Sequence, residues 1–290
     1  RGDGTFRAPV ITRLRGLAED AAVGEWAGGP LLDAVVTDAE SGSLQLLPDP
    51  GRRRGETEVI ARRESAGCLA AGFFDTDALP DLAVADPAAN TVQVYSGCPD
   101  GGFCLLASLP LPGEPGQLLC SDADGDGNDD LAAVLPDEGS VVVACGREEC
   151  GFRDAVVLHA GGVPEAAAVG DVTGDGRPDV VVADGDDPRL TVLAGSAGGG
   201  WQEVCETPLF DLDRAGDLEL ADLNGDGRLD VLLAVPGSFP VWYRGIGDGS
   251  FRDRTILGSR AGAAVGAADI DADGHADIAV ADEWQWIDGV

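Results

Sequence analysis

The stretch DADGDGNDD, residues 122–130, places acidic side chains at its first, third, fifth and ninth positions. Gly127, at the sixth position, permits the backbone to reverse direction, so that alternate side chains can turn toward one centre. Oxygen atoms gathered in this way suit a hard cation, and Ca²⁺ prefers six to eight of them. The stretch therefore predicts a tight loop that binds a divalent metal ion.

The same nine-residue pattern returns along most of the chain at a steady interval. Clear copies begin at Asp171, Asp222 and Asp269, and weaker copies begin at Phe73 and Glu25. The ninth positions are Asp33, Asp81, Asp130, Asp179, Asp230 and Asp277, and successive ones are 47 to 51 residues apart. A period this constant indicates one structural unit repeated six times.

Each unit has the sequence features of four short strands. A near-continuous apolar run follows the acidic loop, as in VVVAD at 180–184, which predicts a strand buried on both faces. A Gly-aromatic turn comes later in the unit, as in GDGSF at 247–251. Four short strands in about 50 residues are typical of a propeller blade.

The sequence thus predicts an all-β fold: a six-bladed β-propeller of four-stranded antiparallel blades, in one domain over residues 1–290. A seven-bladed ring with a missing unit is the alternative. The predicted blades cover approximately residues 17–60, 66–110, 116–160, 164–209, 215–258 and 262–290.

The sixth unit contains too few residues for four strands. Its last residues, QWIDGV at 285–290, followed by RGDGTF at 1–6, rebuild the turn seen in VWYRGIGDGSF at 241–251. We therefore expect residues 1–10 to form the outer strand of the last blade and to close the ring, which removes an open sheet edge. Gly2 to Phe6 then form the Gly-aromatic turn of that blade and Arg1 is incidental, with a functional Arg-Gly-Asp adhesion site as the alternative.

Four complete loops predict about four Ca²⁺ sites, with ligands at positions one, three, five and nine and a backbone carbonyl at position seven. The candidate ligands are Asp122, Asp124, Asp126, Asn128, Asp130, Asp171, Thr173, Asp175, Arg177, Asp179, Asp222, Asn224, Asp226, Arg228, Asp230, Asp269, Asp271, Asp273, His275 and Asp277. An ordinary hairpin turn would explain one such loop. It would not explain four loops with the same spacing, because the inward carboxylates of each loop would repel one another without a cation.

The two weaker loops differ from this pattern. The loop from Phe73 keeps Asp75, Asp77 and Asp81, and its metal binding stays open; the loop from Glu25 keeps only Glu25 and Asp33, and we expect no metal there. None of the loops is an EF-hand, because position twelve lies in an apolar strand, as at Ala133, rather than being Glu.

These loops, with a downstream GDGSF turn, resemble the FG-GAP or VCBS repeats of extracellular β-propellers, a group that includes the integrin α-subunit head. The resemblance implies that each loop joins the first two strands of a blade and binds calcium. It also implies a role in adhesion, ligand binding or scaffolding. Some members of this group are lectins or polysaccharide lyases, so a carbohydrate-binding lectin and a polysaccharide lyase or hydrolase are kept as alternatives.

The charge of the chain restricts its partners. It contains 52 Asp and Glu against 19 Arg and no Lys, for a net charge of −33. This charge disfavours nucleic acid and anionic membranes, and no apolar run approaches the roughly 18 residues of a membrane span. We expect an extracellular protein or glycan, or neighbouring domains of a larger assembly.

The cysteines indicate the compartment. Cys98 with Cys104, and Cys145 with Cys150, each flank a turn between a third and a fourth strand, where antiparallel strands approach disulfide distance. Two hairpin disulfides predict an oxidising, extracellular or cell-surface location. The pairing of Cys68, Cys120 and Cys205 stays open.

Catalytic groups are scarce, because the chain has only two His and no Lys, and most clustered Asp is assigned to metal. We therefore expect a non-catalytic protein. Trp26 and Trp284 lie outside the expected blade packing and are candidates to stack on a sugar, although ordinary half-buried tryptophan is the alternative.

Overall fold

The computed structural model describes residues 14, 16–26, 32–48, 58–62, 65–99, 102–147, 151–153, 155–186, 188–196, 200–209, 212, 214–258, 262 and 264–281. These residues form an all-β fold with two single-turn 3₁₀ helices, Pro87–Ala89 and Pro136–Glu138. They divide into two compact units, one within Ala8–His159 and the other comprising Ala160–Ser196 and Gly200–Val290.

The first unit contains three four-stranded sheets, in each of which consecutive strands are antiparallel neighbours. The first sheet is β1 (Ala18–Gly24), β2 (Asp33–Asp38), β3 (Ser43–Leu47) and β4 (Glu58–Arg62). The second sheet is β5 (Leu69–Gly72), β6 (Asp81–Asp86), β7 (Thr91–Gly97) and β8 (Phe103–Pro110). The third sheet is β9 (Gln117–Ser121), β10 (Asp130–Leu135), β11 (Ser140–Ala144) and β12 (Val156–His159).

The second unit has two sheets of the same kind and a pair of strands. The fourth sheet is β13 (Pro164–Gly170), β14 (Asp179–Asp184), β15 (Arg189–Ser196) and β16 (Gly200–Pro208). The fifth sheet is β17 (Asp217–Ala221), β18 (Asp230–Ala234), β19 (Val241–Gly245) and β20 (Phe251–Ile256). Among the described residues the sixth sheet has β21 (Ala264–Ala268) and β22 (Asp277–Ala281).

The second strands of the second, third and fourth sheets are fully buried. Every residue of β6, β10 and β14 is buried, as the continuous apolar runs predict. Apolar side chains from neighbouring sheets fill the space between them, as where Val181 of the fourth sheet and Leu218 and Leu233 of the fifth share one cluster. Full burial of each such side chain contributes about 1.5–3 kcal/mol, so face-to-face packing of the sheets is the main source of stability.

Acidic residues on first strands also connect neighbouring sheets by hydrogen bonds. Asp20 Oδ2 accepts from the Leu69 N–H at 2.9 Å in the first unit. Asp217 Oδ2 accepts from the Val265 N–H at 3.0 Å in the second. The two residues of each pair are about one repeat apart in the sequence. The same contact between consecutive first strands therefore occurs in both units.

The prediction of an all-β fold with four-stranded antiparallel sheets is confirmed for five sheets. Residues 1–10 and 282–290 lie outside the described residues. The closing strand at 1–10 and the completion of the last blade therefore stay predictions, as does the single six-bladed ring. Among the described residues, no helix has the length and apolar character needed to cross a membrane.

Candidate metal-binding loops

The aspartate at position nine anchors each acidic loop. Its Oδ2 accepts a hydrogen bond from the backbone N–H at position two, at 2.7 to 3.1 Å, in all six repeats. The pairs are Trp26–Asp33, Phe74–Asp81, Ala123–Asp130, Val172–Asp179, Leu223–Asp230 and Ile270–Asp277. This bond closes the loop whether or not the metal pattern is complete, which explains why Asp33 and Asp81 remain in the two degenerate copies.

The other oxygen of this carboxylate accepts from a glycine near the end of the third strand. Asp81 Oδ1 accepts from the Gly97 N–H at 2.9 Å, and Asp230 Oδ1 accepts from the Gly245 N–H at 2.8 Å. Gly146 makes the same bond to Asp130 at 2.7 Å. These glycines are absent from the predicted site residues, although a Gly recurs 15 or 16 residues after the last Asp of the loop and could have indicated them.

Burial disfavours the charged form of the position-nine aspartate in the second to fifth loops. It raises the pKa of Asp81 and of Asp130 to about 6, despite backbone N–H groups that favour the charged form. Burial also raises the pKa of Asp179 and Asp230. A carboxylate in this environment is held with less than the usual solvation, so a nearby cation would stabilise its charged form.

Position one organises the first half of the loop. Asp222 accepts from the N–H groups of Gly225, Asp226 and Gly227 at 2.8 to 3.1 Å. Although burial pushes the pKa of Asp222 up, the backbone N–H groups outweigh it and lower the pKa. Asp122 and Asp171 accept the equivalent three bonds, and Asp269 accepts two of them. The loops are therefore formed by their own backbone and hold their carboxylates in one register.

Carboxylates from positions one, three and five converge in the third and sixth loops. Oxygens of Asp122, Asp124 and Asp126 lie within 4.8 Å of one another, and so do those of Asp269, Asp271 and Asp273. Position seven shares this register, because the N–H of Asn128 and of His275 donates to the carboxylate at position five. Three convergent carboxylates match the hard, oxygen-only ligand set that calcium takes.

The fourth and fifth loops hold fewer carboxylates. Position three is Thr173 in one and Asn224 in the other, and Asn224 donates its amide N–H to Asp230 Oδ2 at 3.0 Å. Thr173 Oγ1 is buried and has no hydrogen bond of good geometry within the part of the chain that the structure describes. Burial raises the pKa of Asp179, and the nearby Thr173 hydroxyl partly offsets that rise. A buried hydroxyl oxygen at position three, between Asp171 and Asp175 in the sequence, is suited to a cation.

Arginine side chains contact two of the loops. Arg153, which follows the third strand of its sheet, pairs with Asp124 at 3.0 Å and with Asp126 at 2.8 Å. Arg177 pairs with Asp175 in its own loop at 2.7 Å. The guanidinium of Arg153 thus bridges two of the carboxylates predicted to bind metal, and a metal ion there would compete with it.

The degenerate second loop brings together the three carboxylates that its sequence keeps. Oxygens of Asp75, Asp77 and Asp81 lie within 4.8 Å of one another, and the Ser96 hydroxyl donates to Asp75 at 2.8 Å. Position one, however, is Phe73, whose side chain is 49% exposed. This loop brings three carboxylates together without a position-one ligand, so its metal binding stays open.

The structure corrects the interpretation of Trp26 as a free aromatic side chain. Trp26 is only 3% exposed, its indole N–H donates to the Pro80 carbonyl at 2.6 Å, and its ring packs on Phe103. The reason is its place at position two, where Phe74, Ala123 and Val172 are also buried. Trp284, the other candidate for sugar stacking, lies outside the described residues.

Three of the four cysteines predicted to form disulfides lie within the described residues. Cys98 and Cys104 lie at the end of one hairpin with their sulfur atoms 3.4 Å apart, longer than the roughly 2.05 Å of an S–S bond. Cys145 is buried, and burial raises the pKa of its thiol to about 12. Cys150 lies outside the described residues. Neither disulfide is shown, and both stay predictions.

Four-stranded antiparallel sheets, repeated with an Asp-rich loop between the first and second strands, define a repeat protein with a propeller-like fold. The FG-GAP-like repeat model matches residues 122–182, 171–233 and 222–280. Because these matches cover more than half of the sequence, the chain belongs to the FG-GAP repeat family. Comparison with curated proteins finds no significant match.

Solved structures of distant sequence share the fold. The chain is similar to BBS1N in its complex with ARL6DN, with a TM-score of 0.63 and 10% identity over 92% of this chain and 75% of that one. It is also similar to a candidate 6-phosphogluconolactonase from Bacteroides uniformis, with a TM-score of 0.58 and 12% identity over 78% and 68% of the two chains. A functionally unknown protein from Desulfotomaculum acetoxidans gives a TM-score of 0.60 and 13% identity over 85% and 71%. Identities this low indicate a shared fold alone.

Proposed function

We propose that this protein is a secreted or cell-surface, calcium-stabilised β-propeller that acts as a non-catalytic adhesion, ligand-binding or scaffold module. The observation that carries the proposal is the convergence of three carboxylates in the loops of Asp122–Asp126 and Asp269–Asp273. In water these charges would repel, and the chain as a whole has a net charge of −33. Calcium would neutralise them and join the two ends of each loop.

The proposed ligands are the carboxylates at positions one, three and five with the carbonyl at position seven. Position nine has a structural role as well, because backbone N–H groups bond to both oxygens of Asp130 and Asp230. Each oxygen has a further lone pair, so metal contact by these residues remains part of the proposal. Calcium would supply charge neutralisation and rigidity, and the residues of the chain hold the loop in register.

The proposed architecture is a single ring of six blades, with residues 1–10 as the outer strand of the last one. Five four-stranded sheets with loops in the same register support it. An extracellular or cell-surface location is proposed from the paired cysteines and from the millimolar calcium there, at which weak extracellular sites are filled.

A non-catalytic role is proposed because the described residues offer few groups for acid–base or nucleophilic chemistry. His275 is exposed within a proposed metal loop, and His159 ends the outer strand β12. Likeness to a candidate lactonase at 12% identity gives no argument for activity. A lectin role also loses support, since Trp26 is buried.

Protein partners are the favoured partner class. The BBS1N neighbour is a protein bound to another protein, ARL6DN, and propeller-like folds present loops suited to such contacts. We propose an extracellular protein, or neighbouring domains of a larger assembly, as partner, with a glycan as the alternative.

Isothermal titration with Ca²⁺, together with thermal melting in calcium and in chelator, tests the proposal. We expect about four bound ions and a higher melting temperature with calcium. The double variant Asp269→Asn, Asp273→Asn should lose one ion, whereas Asp137→Asn, an exposed aspartate outside the loops, should lose none. No bound metal and an unchanged melting temperature would contradict the calcium role.

A further inference from the structure

A groove of about 420 Å³ lies in the first compact unit, beside the two degenerate loops. Its walls come from the end of β1, the end of β5 and the residues just before β6 and β10. Both loops that lack a complete metal pattern contribute to it, Glu25 and Leu32 from the first and Phe73 with 78–80 from the second. The departure from the metal pattern therefore coincides with a concave surface.

The lining of the groove is apolar and open to solvent. Val23 is 64% exposed, Leu32 is 55% exposed and Phe73 is 49% exposed. Phe73 occupies position one, where the four complete loops have an aspartate. An exposed Phe at this position presents an apolar side chain in place of a metal ligand, and neighbouring exposed apolar residues of this kind mark interaction sites.

The position of Phe73 is fixed by its neighbour. Its N–H donates to Asp129 Oδ2 at 2.8 Å, and its carbonyl accepts from the Asp129 N–H at 3.2 Å. These two bonds join the second and third sheets at the edge of the groove. The apolar surface is thus held in place by the backbone before any partner binds, which lowers the entropy cost of association.

The negative charge of the groove favours a basic partner. Glu25 and Asp129 are the charged residues of the described lining, which has no basic side chain. The chain has no Lys and a net charge of −33, so an acidic segment would be repelled. An apolar side chain flanked by Arg or Lys complements both the walls and the carboxylates.

We propose that this groove binds a basic, apolar peptide segment of a partner protein, with Phe73 and Leu32 contacting the apolar residues and Glu25 pairing with a flanking cation. The inference deepens the proposed role as a protein-binding module and rests on it. It places the partner site on the degenerate loops, while the complete loops hold calcium.

Fluorescence anisotropy of the calcium-loaded full chain tests this proposal. The probe is a labelled hexapeptide with two Leu flanked by Arg, compared with versions in which Glu replaces Arg or Ser replaces Leu. We expect saturable binding of the first probe alone, weakened by salt. Phe73→Ser should weaken it about tenfold, because a buried apolar contact is lost. Glu25→Gln should weaken it about threefold, because a rim charge pair is lost.

Matched controls separate the groove from the general surface. Phe239→Ser removes another Phe, 41% exposed and outside the groove, and Glu40→Gln removes another exposed carboxylate of the same unit. Both should leave binding unchanged. If Phe73→Ser does not fold, Leu32→Ser provides the same test at an exposed side chain with no hydrogen-bonding role.

Three outcomes would overturn the proposal: no saturable binding, equal binding of the Glu probe, or wild-type affinity in both Phe73→Ser and Leu32→Ser. Saturable binding of a neutral oligosaccharide in place of the peptide would also overturn it. Calcium titration of the same samples distinguishes the two proposals. Normal calcium binding without peptide binding contradicts the groove alone, and absence of calcium binding contradicts the proposed function.

Discussion

The Asp230 carboxylate accepts a 2.8 Å hydrogen bond from the backbone N–H of Gly245, at the end of the neighbouring third strand. A Cβ atom on Gly245 would lie 2.0 Å from the Leu229 carbonyl oxygen, so no side chain fits while this bond is kept. Gly97 and Gly146 stand against the equivalent carbonyls, of Pro80 and Asp129, at 2.5 Å. The Asp–Gly hydrogen bond therefore recurs and joins the acidic loop to the third strand of its sheet.

Gly245→Ala should accordingly destabilise the protein by about 2 kcal/mol or more, because the loop must move and Asp230 loses a buried hydrogen bond. Urea unfolding followed by fluorescence measures the change. Gly266→Ala is the control, since Gly266 lies in strand β21 and no atom of the described residues comes within 4 Å of the position of its missing Cβ. It should change stability by less than about 0.5 kcal/mol. Equal effects of the two substitutions would contradict a stabilising role for the hydrogen bond between Gly245 and Asp230.

Much of this arrangement could be predicted from the sequence. The period of the acidic loops predicts the sheets, and the apolar runs predict buried second strands such as β14. The contact of Gly245 with Leu229 could not be predicted, because it depends on how β19 is aligned against β18, and the sequence pattern does not give that register. The burial of Trp26 was not predicted, because its loop had lost the metal pattern. The loop nevertheless keeps an inward apolar residue at position two, as Phe74 does in the next loop.

Arg153→Ala should strengthen calcium binding at the third loop. The Arg153 guanidinium pairs with Asp124 and Asp126, and its removal leaves both carboxylates available to the metal. Two partly exposed ion pairs correspond to an increase in affinity of about three- to tenfold. Calorimetric titration measures it, with Arg244→Ala as control because Arg244 pairs with Asp253. Unchanged affinity in Arg153→Ala would show that this arginine does not compete with metal.

Glu219→Gln should raise stability at neutral pH. Burial in β17, followed by the nearby charge of Asp217, raises the pKa of Glu219 above its ordinary value. The folded state thus binds the proton more tightly than the unfolded state does, so the stabilisation is present at low pH and is lost as the pH rises through the folded pKa.

The melting temperatures of Glu219→Gln and the unsubstituted protein should therefore be similar near pH 4, and Glu219→Gln should melt higher at pH 7. Glu203→Gln, an exposed residue of the outer strand β16, is the control and should show no such dependence. If Glu219→Gln melts lower than the unsubstituted protein at pH 7, the carboxylate has a stabilising partner.

Replacement of residues 1–10 by a Gly/Ser sequence of equal length should lower the melting temperature. The prediction assigns these residues to the outer strand of the last blade, where their removal would expose an edge and lose strand pairing. A loss of about 3 kcal/mol would correspond to roughly 5 °C in a chain of this size. Calorimetry measures the change, and an unaltered melting temperature would contradict the closing strand.

Trp26→Ala should be among the most destabilising single substitutions in the first unit. The Trp26 ring is buried against Phe103 of the second sheet, and its indole N–H donates to the Pro80 carbonyl of the second loop, so removal leaves a cavity between the first two sheets. A loss of about 3–5 kcal/mol is expected in urea unfolding. Trp26→Phe keeps most of the apolar contact and should lose less, about 1–2 kcal/mol, chiefly from the unpaired carbonyl. If Trp26→Ala instead kept full stability and lost affinity for a glycan, the Trp26 ring would be a ligand contact. The ring would then have to become exposed when the glycan binds.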